Sequence, residues 1–249
     1  MFIVWGKKHV YRKLGYVADF CPICRKPRAF ELKRIGLAGH VYYITAGEGE
    51  LVGHERTCLK CATILNANPA NYASVSKKAL TITELIKLTF PDIRDVHSDR
   101  LELEEKVQKT PALLTAEERD ALIKSPFYIL SPLVERRFAS THLDMEIGIA
   151  IVVAILLMTM GPAIVGKFAP DDMSQAVLVC IGIGASLVIW QLITAGRRYV
   201  QRQVAPILGI TLKPLQPKES ELLVVLAELK QLKHKMASKL KVTDIQKYL

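Results

Sequence analysis

Four of the five cysteines fall into two CxxC pairs, Cys21-Pro22-Ile23-Cys24 and Cys58-Leu59-Lys60-Cys61. A CxxC turn aims both sulfurs at one centre, and two such turns supply the four soft ligands that zinc takes in a closed tetrahedron. The pattern predicts one structural zinc ion held by Cys21, Cys24, Cys58 and Cys61. A single CxxC would also suit thioredoxin-like chemistry, but two of them without a βαβ pattern point to a metal. His54, four residues before Cys58, and His40 are expected to be ordinary ribbon histidines, because four thiolates already complete the set. His54-Glu55 does not extend to HExxH, and a closed four-thiolate site leaves no position for a reactive water. No catalytic triad, spaced carboxylate pair or glycine-rich phosphate loop appears. Gly47-Glu48-Gly49 reads as a hairpin turn. The chain is therefore expected not to be an enzyme. Cys180 lies in an apolar run and reads as a small apolar residue.

The 33 residues between the two pairs read as antiparallel strands. Residues 28–35 alternate, with Phe30 and Leu32 on one face. Gly36-Leu37-Ala38-Gly39 is expected to break the strand, residues 40–45 are β-rich, and residues 50–57 return to the second pair. Residues 2–5 and 10–17 are candidates for further strands. Trp5-Gly6, Leu14-Gly15-Tyr16, Phe30-Glu31-Leu32, His40-Val41-Tyr42-Tyr43-Ile44 and Gly47-Glu48-Gly49 stand around the two cysteine pairs. Together these motifs resemble those of a family of bacterial zinc-ribbon proteins. The likeness covers the ribbon alone. It implies that the four cysteines are the metal ligands, and it implies a binding or scaffolding module with no reaction attached. Zinc ribbons commonly place glycine after the last cysteine. Here Ala62 stands there, so the knuckle must turn without it.

Two apolar runs, 147–165 and 176–195, carry no charged residue. At about 1.5 Å per residue each reaches about 30 Å, the thickness of a bilayer core, and only a helix satisfies its own backbone across that distance in lipid. They predict a transmembrane helical hairpin. Arg136 and Arg137 precede the first run, and Arg197, Arg198 and Arg202 follow the second. The loop between carries Lys167 against Asp171 and Asp172. Positive charge flanks the side holding both termini, so both are expected in the cytoplasm, at a bacterial inner membrane. Residues 1–5 are too short for a signal-peptide core, and the first span is expected to act as the targeting signal. Small residues at helical spacing (Ala150/Ala154, Cys180/Gly184, Gly182/Ser186) suit close helix approach, within the hairpin or through self-association. Gly161-Pro162 is expected to loosen the end of the first span, and Glu146 to sit at its cytoplasmic edge.

The chain has 34 basic and 24 acidic residues, a net charge of +10. The excess lies in residues 1–64 and 197–249, which suits an anionic membrane surface and, less well, nucleic acid. Between ribbon and membrane the pattern is helical. Ser98 is a candidate cap, Thr115/Glu118 a capping box, and Ser125-Pro126 a restart with proline at the first position. Beyond the second span, Pro206, Pro214 and Pro217 are expected to interrupt the helix. Residues 219–233 form an amphipathic helix with Leu222, Leu226 and Leu229 on one stripe and Leu223 beside it. Thr243 and Gln246 are expected to cap a last short helix in a solvated or headgroup-facing tail.

The expectation is an α+β membrane protein. A zinc ribbon spans 1–66, a helical cytoplasmic region 67–143, a transmembrane hairpin 144–196, and a basic helical tail 197–249. Its expected role is a non-enzymatic interaction or scaffold module that holds a cytoplasmic protein partner at the bilayer. A membrane-bound nucleic-acid or transcription-linked regulator is the alternative, and a thiol-redox or metal sensor the weakest reading.

Overall fold

A computed structural model describes residues 5–42, 44–45, 47–139, 144–168 and 173–249. The apolar stretch 2–4, Tyr43 and the loop acids Asp171 and Asp172 lie outside the described residues. The chain is α+β. Contacts divide it into two compact units, Met1–Leu130 with Ile207–Glu221 and Leu249, and Ser131–Pro206 with Leu222–Tyr248.

The first unit is built on an antiparallel sheet. Its strands are β1 (Trp5–Cys21), β2 (Lys26–Val41), β3 (Ile44–Thr45), β4 (Glu50–Cys58) and β5 (Ile64–Asn66). The order is β1-β2-β4-β5, with β3 paired to β2. The glycines of 36–39 do not break β2. The register to β4 shifts between Ile35 and Gly36, and a side chain at Gly36 would meet the Glu48 carbonyl at 1.9 Å. Glycine there admits a neighbouring backbone instead of ending the strand. β1 is likewise one 17-residue strand, bulged between Lys13 and Gly15. Alternation gives way at its end, where Val17, Ala18, Phe20 and Cys21 are all buried. Consecutive burial means that both faces are covered. One cover is α1 (Ile82–Thr89), which docks when Thr89 Oγ1 accepts from Ala18 N at 2.9 Å. Thr81 and Glu84 form a capping box at its start.

α2 (Ile93–Val96) and α3 (Ser98–Lys109) follow. Ser98 is not the cap of α3. It is already helical, its hydroxyl faces Asp99, and His97 occupies the cap position. The box at Thr115 forms, with Glu118 N donating to Thr115 Oγ1 at 3.1 Å and Thr115 N to Glu118 Oε2 at 2.9 Å. The helix it starts, α4 (Ala116–Ala139), runs through Pro126 without restarting. Leu122, Ile123, Phe127, Leu130 and Val134 are buried at helical spacing, and that burial outweighs one lost backbone hydrogen bond.

In the second unit α5 (Met145–Phe168) and α6 (Met173–Tyr199) pack against each other. Both are long and apolar enough to cross a membrane. Pro162 lies inside α5, which continues to Phe168. Ala150 and Ala154 are buried, and a side chain at Gly184 would meet Ala154 Cβ at 3.1 Å. Gly182 has open space beside it. The helix bases are tied by ion pairs that span the two helices. Arg198 Nη2 donates to Asp144 Oδ2 at 2.8 Å, and Arg202 pairs with Glu146. Asp144 Oδ1 also accepts from Ile147 N at 3.0 Å, capping α5. Arg198 Nη1 satisfies Gln191 and Thr194, the polar groups nearest the base of α6, each at 2.6 Å.

Pro206 does not interrupt the chain after α6. A π-helical turn over Val200–Val204 leads into α7 (Ala205–Leu212), with Ala205 N bonded to Val200 O. The shifted bonding passes over the donor that proline lacks. The tail forms α8 (Glu219–Gln231), α9 (Lys235–Lys239) and α10 (Val242–Gln246). The buried stripe of α8 is Leu222, Val225 and Leu229, and Leu223 is exposed. Thr243 and Gln246 do not cap α10. Asp244 accepts from Lys241 N at 3.1 Å instead. The tail is also not merely solvated: Met236, Leu240, Val242 and Ile245 are buried while most of its lysines stay exposed.

The glycine geometry predicts that Gly184→Leu destabilises the hairpin by about 1–3 kcal/mol. Gly182→Leu should be neutral. Thermal unfolding of both variants in neutral detergent checks this, and equal effects would reject it.

Candidate metal centre

The two CxxC pairs sit where strands end. β1 stops at Cys21 and β2 begins at Lys26, so the first pair fills that turn, while the second follows the end of β4. Phe30 pairs with Cys58 across β2 and β4, and Leu59 N donates to Ala29 O at 3.0 Å. Sheet pairing thereby brings together turns that are far apart in sequence. Each knuckle closes on a left-handed residue. Arg25 follows the first pair at φ 58° and Ala62 the second at φ 56°. Ala62 N donates to Cys58 O at 2.9 Å. A left-handed alanine costs about 1 kcal/mol relative to glycine, and the turn is made in spite of it.

The four sulfurs lie within 4.8 Å of one another. Cys21 and Cys61 Sγ are 3.6 Å apart, and Cys24 and Cys58 Sγ 3.9 Å. A tetrahedral ion with metal–sulfur bonds of about 2.3 Å requires sulfur–sulfur edges of about 3.8 Å. The cluster can therefore coordinate a metal ion. Cys24 N donates to Cys21 Sγ at 3.3 Å, and Thr63 Oγ1 lies 3.2 Å from Cys61 Sγ. Without a cation the sulfurs cannot ionise together. Hydrogen bonding to Cys58 and then Cys61 pushes the Cys21 thiol up. Burial, with the charges of Cys61 and Cys58, pushes Cys24 up to about 11. Hydrogen bonds from Cys21 and then Cys58 pull Cys61 down. A bound cation must expel the protons that Cys21 and Cys24 hold.

His40 and His54 lie outside the group of clustered ligand atoms, on β2 and β4. Cys180 lies on α6. Four other residues near the centre carry no signal in the sequence. Asp19, two residues before Cys21, is 2% exposed and accepts from Tyr72 Oη at 2.6 Å. Arg56 pairs with Asp19 and donates to Tyr72 Oη at 3.0 Å, and His97 Nε2 stands 3.2 Å from Asp19 Oδ1. Burial pushes the Tyr72 hydroxyl up. The cluster joins β1, β4 and the helices beyond the sheet. Acid and base at these spacings share no spectrum of periodicity or motif, so only folding reveals them.

Cys24→Ser and Cys61→Ser should each lose the metal, and Cys180→Ser should keep it, as read by elemental analysis of the purified chain. Because thiols with raised proton affinity must deprotonate, metal affinity should fall as pH falls. Full metal content in the Cys24→Ser/Cys61→Ser double variant, or pH-independent affinity, would exclude a four-sulfur site. Asp19→Asn leaves Arg56 without its buried counter-charge and should cost about 3 kcal/mol in thermal unfolding while the folded protein keeps its metal.

No family model, curated protein or solved structure matches the chain; four clustered cysteines on an antiparallel sheet suggest a zinc ribbon.

Proposed function

We propose that the four cysteines hold a structural zinc ion and that the protein is a non-enzymatic, membrane-anchored module. In this reading both termini are cytoplasmic, and the ribbon recruits a protein partner to the inner face of a bacterial inner membrane. The observation that carries it is the combination, in one chain, of a closed four-sulfur cluster with two helices whose outward faces are apolar. Ile149, Val152, Leu178, Ile183, Trp190 and Ile193 are exposed along α5 and α6. Apolar surface of that extent suits lipid and not water. The far end of the ribbon supports a docking role. Trp5 is 81% and Ile44 78% exposed there, and Val41 and Tyr42 help line the same open apolar cavity of about 650 Å³.

A second reading, a nucleic-acid-binding regulator, is favoured by one feature of β1. Lys7 is exposed on the same face of β1 as the exposed rings of Trp5 and Tyr11, and Lys8 and Arg12 are exposed on the other face. Such a basic and aromatic surface suits stacking on single strands. In-cell crosslinking from the membrane fraction decides between them. A protein partner captured by the wild type and lost in Trp5→Ala/Ile44→Asp supports recruitment. Capture of self alone, or steeply salt-dependent nucleic-acid binding by the same surface, rejects it.

A further inference from the structure

Beside the metal centre, wholly within the first unit, lies a cavity of about 560 Å³. Its charged lining is Arg25, Lys26, Arg28 and Lys60, with no acidic side chain among the lining residues. Ile207 and Ile210 of α7 form an apolar wall, and Ile210 is 68% exposed. Of these four cations only Arg25 has an internal acidic partner. Arg25 is 8% exposed, and donates Nε to Glu104 at 2.6 Å and Nη1 to the Thr211 carbonyl at 3.0 Å. Its Nη2 is buried with no acceptor, and so is Nε of Arg28. Among the described residues the side chains of Lys26, Arg28 and Lys60 have no hydrogen-bond or ion-pair partner, although the Lys26 and Arg28 backbones pair with β1. Nor does the sulfur cluster absorb them. The polar groups beside its sulfurs are Cys24 N and Thr63 Oγ1, and no lining cation donates to a sulfur.

Cations gathered around one open space with no acidic side chain in its lining raise a positive potential there, which draws an anion from outside the chain. Several separate cations around one space suit a group with several charged oxygens, which is a phosphate more than a single carboxylate. The isoleucine wall suits an alkyl chain. We propose that this cavity binds a phosphate group carried on an apolar chain, either a membrane lipid headgroup or a free alkyl phosphate. This goes beyond partner recruitment and does not depend on it.

The test uses the metal-loaded full chain in a neutral maltoside detergent, titrated calorimetrically with hexyl phosphate, inorganic phosphate and hexanol. Hexyl phosphate should bind saturably at one site per chain, and inorganic phosphate and hexanol much more weakly. Arg28→Gln and Lys60→Gln should each weaken binding by about tenfold. Ile210→Asp should abolish it, with metal content unchanged in all of them. Absence of saturable binding, unchanged affinity in both charge variants, or inorganic phosphate binding as tightly as hexyl phosphate would overturn the proposal. The exposed Lys60 keeps the test valid if Arg28→Gln does not fold. In nanodiscs, loss of hexyl phosphate binding on adding phosphatidic acid to phosphatidylcholine identifies the lipid as ligand. Retention in both identifies a free amphiphile.

Discussion

Four sulfurs crowded into one small volume cannot all carry charge unless a cation sits among them. That constraint governs the first unit. The two knuckles terminate β1 and β4, so whatever holds the sulfurs together also holds the strand ends, the hairpin geometry and the register between them. A sheet with long exposed arms has a thin core, and its large buried apolar residues are gathered at the sulfur end: Val17, Phe20, Phe30 and Leu32, with Ala18. The free energy of a metal ion held by these sulfurs would act on the same end of the sheet as apolar burial. The left-handed Arg25 and Ala62 are tolerated there because closure of the turns overrides their local preference.

Around this centre the unit places charge in two ways. Asp19 is compensated by Arg56, with Tyr72 and His97 completing its hydrogen bonds, and Glu104 is compensated by Arg25 and Arg100. These buried pairs cost desolvation and are stable only when complete, so they define which arrangement of helices the sheet accepts. Arg28, Lys26 and Lys60 lack such compensation, and the difference separates charge used to hold the fold from charge left for a ligand.

The second unit follows another solvent logic. Small residues let α5 and α6 approach closely, and large apolar side chains face outward. Polar groups near the helix base are each satisfied within the chain, Gln191 and Thr194 by Arg198, and Glu146 by Arg202. Arginine's several donors let one side chain serve a cap residue and two neighbours at once. The tail buries its own apolar stripe and keeps most of its lysines in water, as an amphipathic pattern demands.

Much of this was legible in the residues alone. Paired CxxC spacing named the four clustered cysteines, because a knuckle is a local turn whose sulfurs must converge. Charge-free runs of bilayer length named both long helices, because backbone satisfaction over that length depends on composition and not on context. The Thr115/Glu118 box was readable because its partners are three residues apart. What escaped the sequence was decided by groups distant along the chain. The glycines of 36–39 read locally as a break, but Gly36 admits the Glu48 carbonyl and β2 runs on to Val41. Pro126 read as a helix start until the burial of its neighbours was known. Pro206 was accommodated by a π turn that has no composition signature. The Asp19 cluster and the basic cavity exist only where strands and helices meet, since a lone charge in sequence shows neither its burial nor its partner. Local turns and solvent class follow from residue type, whereas compensation of buried charge is a property of three-dimensional proximity.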